Sequence, residues 1–298
     1  MPTSIEQSVA VRFRATSGLD SDSQAEFAGR VKSFRSTTGQ RHRERFSARG
    51  VRRTGLARAL SKLGHCSRSQ AWTLIGAGRV RVNGVVQLDP EKGVQLGRDR
   101  IEVEGRLVRE AQKVYLLLNK PRGLVTSASD EKGRQTVFAC LEDENLPRVF
   151  PAGRLDKASE GLLLFTNDTT WAARVTDPAT HLDKTYHVQV DCLAADALVQ
   201  KIEKGVSDDG DWLSAKRASM LRTGEKNSWL EIVLDEGKNR HIRRLLAALG
   251  VNVLRLVRVG IGPLRLGTLA KGQWRRLTRE EIATVAQDGN RKSAGYKH

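Results

Sequence analysis

The run Gly161-Leu162-Leu163-Leu164-Phe165 narrows what this chain can fold into more than any other stretch. A continuous apolar run closed by the turn-forming pair Asn167-Asp168 reads as a buried core strand. Immediately before it, the segment Pro151-Ala152-Gly153-Arg154-Leu155-Asp156-Lys157 places one carboxylate in a tight basic loop. Gly153 allows a sharp turn, and Arg154 and Lys157 bracket Asp156. An acid on the lip of a rigid element can be aimed at a substrate. It can equally cap a turn or pair with Arg154, and spacing alone leaves both readings open.

The 298 residues suffice for about two domains of ordinary size. No run approaches the roughly 20 apolar residues that a membrane span requires. The N-terminus lacks the apolar core of a secretory signal, so a cytoplasmic protein is expected. Cys66, Cys140 and Cys192 form no CxxC pair, and the scattered histidines supply no HExxH motif. No metal is expected.

Net charge is +17, and its distribution is informative. Residues 51–81 carry seven Arg or Lys and no acid; residues 237–279 carry eleven and again no acid. Two separated basic blocks inside foldable sequence point to a phosphate-backbone partner. Neither block has the aromatic-rich face of an interfacial helix, which argues against a membrane surface.

Residues 1–51 are rich in Ser, Arg, Gln and Gly without periodicity and read as a disordered basic tail, with Arg41, Arg43 and Arg45 as sources of non-specific attraction. Leu56, Leu60 and Leu63 fit a short helix stopping at Gly64. Ser67 and Gln70 form a capping-box pattern for a second helix. Arg79-Val80-Arg81-Val82 alternates strictly and runs into Asn83-Gly84, the strongest short hairpin signal, then Val85-Val86. Ile101–Val103 reads as a further strand. Helix, helix, hairpin and strand in this order resemble the S4-like RNA-binding domain, expected over residues 52–110. The resemblance implies that Arg68, Arg79 and Arg81 meet structured RNA.

A larger domain is expected over 113–286, with a flexible tail at 287–298. Tyr115 to Leu118 reads as a buried strand leading into the turn Asn119-Lys120-Pro121-Arg122-Gly123. Thr170–Thr176 suits a short helix, Lys184–Val190 a strand and Trp229–Leu234 another. Ile242, Leu245, Leu246 and Leu249 mark one apolar helical face, with Asn239 as its N-cap and Gly250 as its end. Val253 to Val259 alternates, and Thr278-x-x-Glu281 opens a last short helix. Many strands with few helices indicate an α+β domain around a largely antiparallel sheet.

Four motifs in order, LLLNKPRGLVTS, GRLDKASEGLLLFTND, DKTY and EGKNRHIRRLL, resemble those of pseudouridine synthases. They are most similar to the branch with an N-terminal S4-like domain that modifies ribosomal RNA (the RsuA/RluB group). The resemblance covers about residues 53–284. It implies that a uridine is detached at its nitrogen–sugar bond, rotated and rejoined through carbon 5. That chemistry exchanges no electrons with a cofactor, so none is expected. It needs an ionised carboxylate beside the anomeric carbon, where positive charge develops as in glycoside cleavage. By resemblance that acid is Asp156, Arg243 is its basic partner, and Tyr186 is the ring on which the flipped base stacks. Arg154 resembles the residue that fills the space left by the base, and Lys120 and Lys184 are expected at phosphates.

Three departures stand out: His241 where many relatives carry Gln, Thr169 where they usually carry Gly, and the segment Leu56 to Leu60, with Arg58 inside it, as a loose match to the opening of the S4-like domain. The expected partner is ribosomal RNA or a pre-ribosomal particle, and the expected state is a monomer. Three other classes stay open. One is a catalytically silent assembly factor, which would not need the set Asp156, Tyr186 and Arg243. Another is a nucleoside-cleaving glycosidase, which would usually supply a second carboxylate. The third is a purely structural ribosome-associated protein, which would not need the Gly153-Arg154-Leu155-Asp156 loop.

Overall fold

Glu160–Thr166 is buried at every position, including its two polar ends. In the computed structural model, which describes residues 53–127, 132–141 and 146–293, this strand lies within a nine-stranded sheet. The main path runs Arg217–Thr223, Ser228–Leu234, Lys184–Val190, Val253–Ile261, Glu160–Thr166, Tyr115–Lys120 and Trp274–Arg276. Every pairing along it is antiparallel except Val253–Ile261 with Glu160–Thr166. Leu162, Leu163, Leu164 and Phe165 alternate between opposite faces and enter two different cores. Burying each side chain contributes about 1.5–3 kcal/mol as an upper figure.

The parallel crossing has a strict local requirement. Gly161 stands opposite Arg258 with φ at +100°, and a Cβ there would lie 2.2 Å from the Arg258 carbonyl oxygen. Only glycine satisfies both the conformation and the approach.

After the strand, the turn pair does more than turn. The Asn167 side chain accepts from Val114 N at 2.8 Å and donates to Gln112 O at 2.8 Å, clamping the segment that joins the two domains. Asp168 caps the Thr169–Thr176 helix and accepts from the Tyr115 hydroxyl at 2.9 Å.

The small domain follows the expected order. Leu56–Lys62 and Arg68–Gly76 are helices, the second with the full Ser67/Gln70 capping box. Val80–Val82 and Val85–Val86 form the hairpin, with Asn83 and Gly84 both at positive φ, and Ile101–Val103 pairs with the first of them. Leu56, Leu60, Ile75, Val80 and Ile101 make its core.

Three expectations change. The helix His241–Ala248 is preceded not by Asn239 but by Arg240, which sits in the left-handed region at φ 49° and provides no side-chain cap. The final helix is not short: Arg279–Ser293 runs past the boundary expected at 286, opened by reciprocal Thr278 and Glu281 hydrogen bonds. The acid-free basic block is also partly paired in space. Arg244 binds Asp208 and Asp211, Arg255 and Lys271 bind Glu160, and Arg275 binds Glu281. Residues 1–51, with their expected tail, lie outside the described residues. Among the described residues, no helix is long and apolar enough to cross a membrane.

Candidate active site

The loop carrying Asp156 is held by its main chain. Five consecutive carbonyls are satisfied. Leu155 O accepts from the Thr126 hydroxyl at 2.8 Å, and Asp156 O from Ser159 N at 3.0 Å and from Lys120 Nζ at 3.2 Å. Lys157 O accepts from Gly123 N at 2.8 Å, Ala158 O from Arg243 Nη2 at 3.3 Å, and Ser159 O from Lys120 Nζ at 2.8 Å. The Asp156 residue itself is exposed and lines a cleft of about 230 Å³. A fixed backbone under a free carboxylate is the arrangement an aimed acid requires.

Tyr186 and Lys184 reach the same cleft from the Lys184–Val190 strand, and Arg154 from the loop itself. Lys184 Nζ donates to Asp235 O at 3.5 Å. The cleft therefore gathers Asp156, Tyr186, Arg154 and Lys184. Arg240 and His241 join them from the start of the following helix.

Arg243 lies beside this group, but not as the direct partner expected of it. Its guanidinium donates to the carbonyls of Ala158 and Val253, both at 3.3 Å, rather than to the Asp156 carboxylate. Burial, with Arg240 nearby, pushes its pKa down, and the Asp156 charge offsets part of that. Arg243 thus holds the backbone of the Asp156 loop at Ala158 rather than the carboxylate itself.

Lys120 also departs from expectation. It is fully buried, and its ammonium donates to Pro121 O, Asp156 O and Ser159 O, so it is not placed to meet a phosphate. Burial pushes its pKa down to about 8. His241 is buried too, and burial lowers its pKa, which favours a neutral ring in the cleft wall.

No second carboxylate faces Asp156 from the neighbouring strand. Glu160 precedes Gly161 and so projects from the other face of the sheet. There it is held by Arg255, through both carboxylate oxygens, and by Lys271 at 2.7 Å. Burial opposes its ionisation, but the Arg255 and Lys271 bonds prevail and lower its pKa. Among the described residues, no three His, Cys, Asp or Glu side chains gather into a metal-binding group.

Arg68, Arg79 and Arg81 are exposed around the second helix and the hairpin of the small domain. Arg79 pairs with Glu104, and Arg81 donates to Gly84 O at 3.3 Å. Sequence reasoning missed two residues here and in the cleft. Trp72 is 52% exposed one helical turn after Arg68, a spacing that places both on one face. Arg258, inside an alternating apolar strand, is a buried cation lining the cleft. The i, i+4 spacing could have signalled Trp72, whereas no local signal marks Arg258.

Comparison with known proteins adds to this geometry. The family profile described as RNA pseudouridylate synthase matches residues 114–248, and that of the S4 domain matches residues 54–101. A protein of Rickettsia prowazekii named as an uncharacterized RNA pseudouridine synthase is 39% identical over 224 residues, covering 75% of this chain and 94% of its own length. The ribosomal large subunit pseudouridine synthase B of Bacillus subtilis is 37% identical over 231 residues, covering 76% of this chain and 93% of its own. A crystal structure of a pseudouridylate synthase superposes with a TM-score of 0.55 at 30% identity, over 78% of this chain and 99% of that one.

Proposed function

The chain belongs to the RNA pseudouridylate synthase family, isomerases that act on RNA, and from that premise we propose that it converts a specific uridine of ribosomal RNA to pseudouridine with Asp156 as the catalytic carboxylate. The observation that carries this reading is the Asp156 loop, whose backbone is bonded at five consecutive carbonyls while its carboxylate stays free at the cleft.

A target uridine leaves its helix and enters the cleft, which costs a few kcal/mol for a stacked base. Stacking on Tyr186 returns about 1–3 kcal/mol. Asp156 then stands beside the sugar, where a carboxylate stabilises the positive charge that develops as the nitrogen–sugar bond breaks. Arg154 and Lys184 at the rim suit the backbone phosphates and the vacated stack. Arg243 and Lys120 keep the loop in place. That Glu160 is spent in ion pairs on the opposite face supports isomerisation over hydrolysis, since a glycosidase would usually bring a second acid or base to the same bond.

The name of the Bacillus subtilis relative makes large-subunit RNA the first place to look. The test is pseudouridine mapping of both ribosomal RNAs in cells carrying the wild type, Asp156→Asn or a deletion. One site is expected to vanish in both altered strains, with the purified Asp156→Asn protein folded and still bound to RNA. An unchanged map in the deletion strain would overturn the ribosomal assignment. A site that survives in Asp156→Asn would overturn the role of that acid.

A further inference from the structure

Arg258 is a buried cation that the reading above does not use. It is 6% exposed, lines the cleft, and pairs with no acid among the described residues. Its Nε donates to Leu162 O at 2.8 Å, while Nη2 is enclosed and meets no acceptor of the protein. A buried guanidinium held by one carbonyl and no acid is under-satisfied, which is costly, and the side from which its charge can still be met is the cleft that it lines.

Its neighbours define what that ligand presents. Tyr186 stands directly opposite Arg258 on the Lys184–Val190 strand, and Gly161 opposite it on the Glu160–Thr166 strand. Directly opposed residues share a sheet face. The cleft floor is therefore an aromatic ring beside an anchored cation, with no side chain beyond it at Gly161. Five residues before Gly161 is Asp156.

We propose that Arg258 contacts the substrate: the end of its guanidinium that lines the cleft donates to a ring carbonyl of the extruded uracil and stabilises the negative charge that the base carries while it is detached from the sugar. This rests on the pseudouridine synthase reading of the cleft. When the bond from N1 to the anomeric carbon breaks, its electron pair leaves with the base and spreads onto the two ring oxygens. A donor already fixed by Leu162 meets that charge with little reorganisation. Carbon 5 then bonds to the anomeric carbon, its proton departs, N1 takes up a proton, and the product base is neutral again.

A carbonyl suits this donor better than a phosphate does. A phosphate drawn to a residue this buried would lose most of its water, whereas Arg154 and Arg240 are exposed cations at the rim where a phosphate keeps its water. A contact to O4 would also reject cytosine, which presents an amino donor at that position.

The test uses a synthetic ribosomal RNA fragment bearing the mapped target uridine labelled with tritium at carbon 5, whose release reports isomerisation. Arg258→Met is expected to slow single-turnover release about 10- to 100-fold, with RNA affinity within about twofold of wild type. Replacing O2 or O4 of the target by sulfur, a poorer acceptor, is expected to slow the wild type about tenfold at one of the two positions. That penalty should vanish in Arg258→Met. The thio-substituted RNAs probe the wild-type protein, so their result stands even where the variant fails to fold. Release by a folded Arg258→Met protein within twofold of wild type overturns the proposal, as does wild-type turnover unchanged by either sulfur. Wild type that releases no tritium from any ribosomal RNA overturns the enzyme reading, and this inference with it.

Discussion

The ammonium of Lys120 ends the strand Tyr115–Lys120 in full burial and reaches three carbonyls, two of them in the Asp156 loop. Its sequence setting, a lysine before Pro-Arg-Gly, reads as an exposed turn cation, because nothing local shows that the chain 36 residues on will close over it. Removing it in Lys120→Met leaves acceptors without a donor, at an expected cost of about 1–3 kcal/mol, and loosens the acid loop, so turnover should fall more than RNA affinity. Denaturant melts with single-turnover assays check both. The pH dependence has a definite sign. Burial brings the folded pKa to about 8, below the ordinary value of 10.5. Below pH 8 both states hold the proton and the group adds no slope. Between about 8 and 10.5 the unfolded chain binds it and the folded protein does not, so stability rises with pH. Wild type should gain on Lys120→Met across that window, and parallel curves from pH 7 to 10.5 would contradict the burial argument.

At the scale of elements, the sheet depends on Gly161. The apolar run after it made the strand legible, since four large side chains with no polar face fit no other element of that length. What could not be read was the partner. A parallel neighbour almost a hundred residues later is fixed by tertiary packing, and the only sequence trace is that glycine opens the run. The substitution Gly161→Ala forces a positive φ on a residue with a Cβ and drives that atom into the Arg258 carbonyl. A cost of about 3–5 kcal/mol is expected, visible as a lowered denaturant midpoint; a loss under about 1 kcal/mol would mean that the two strands do not cross as closely as described. Capping shows the same division. The Ser67/Gln70 box is local and was readable, whereas Arg240 before the His241–Ala248 helix takes its left-handed conformation without any local signal.

For the whole molecule, net charge indicates a polyanionic partner but not which cations face it. The block 237–279 contains no acid, yet Arg244, Arg255, Lys271 and Arg275 are neutralised by acids from distant segments or from the next helix. Sequence proximity hides such pairs, and only folding brings them together. In the small domain Arg68 and Arg81 stay exposed with no acid partner among the described residues, Arg79 is exposed but paired, and Trp72 stands open among them. The RNA-docking role expected of this face divides into charge and stacking, and salt separates the two. Each arginine that neutralises a phosphate reduces the slope of log affinity against log salt by about one when removed. Arg79 already pairs with Glu104 and is the weakest contributor. The combined Arg68→Ala, Arg79→Ala and Arg81→Ala protein should therefore lose about two units of slope rather than three. Trp72→Ala removes a stacking surface instead, so affinity should fall by about 1–3 kcal/mol with the slope unchanged. Filter binding to ribosomal RNA fragments from 50 to 300 mM salt, roughly the range where the electrostatic part is steep, reads both quantities at once. A slope that does not move in the triple variant would shift docking from the S4 domain to the rim of the Asp156 cleft, where Arg154 and Arg240 remain exposed.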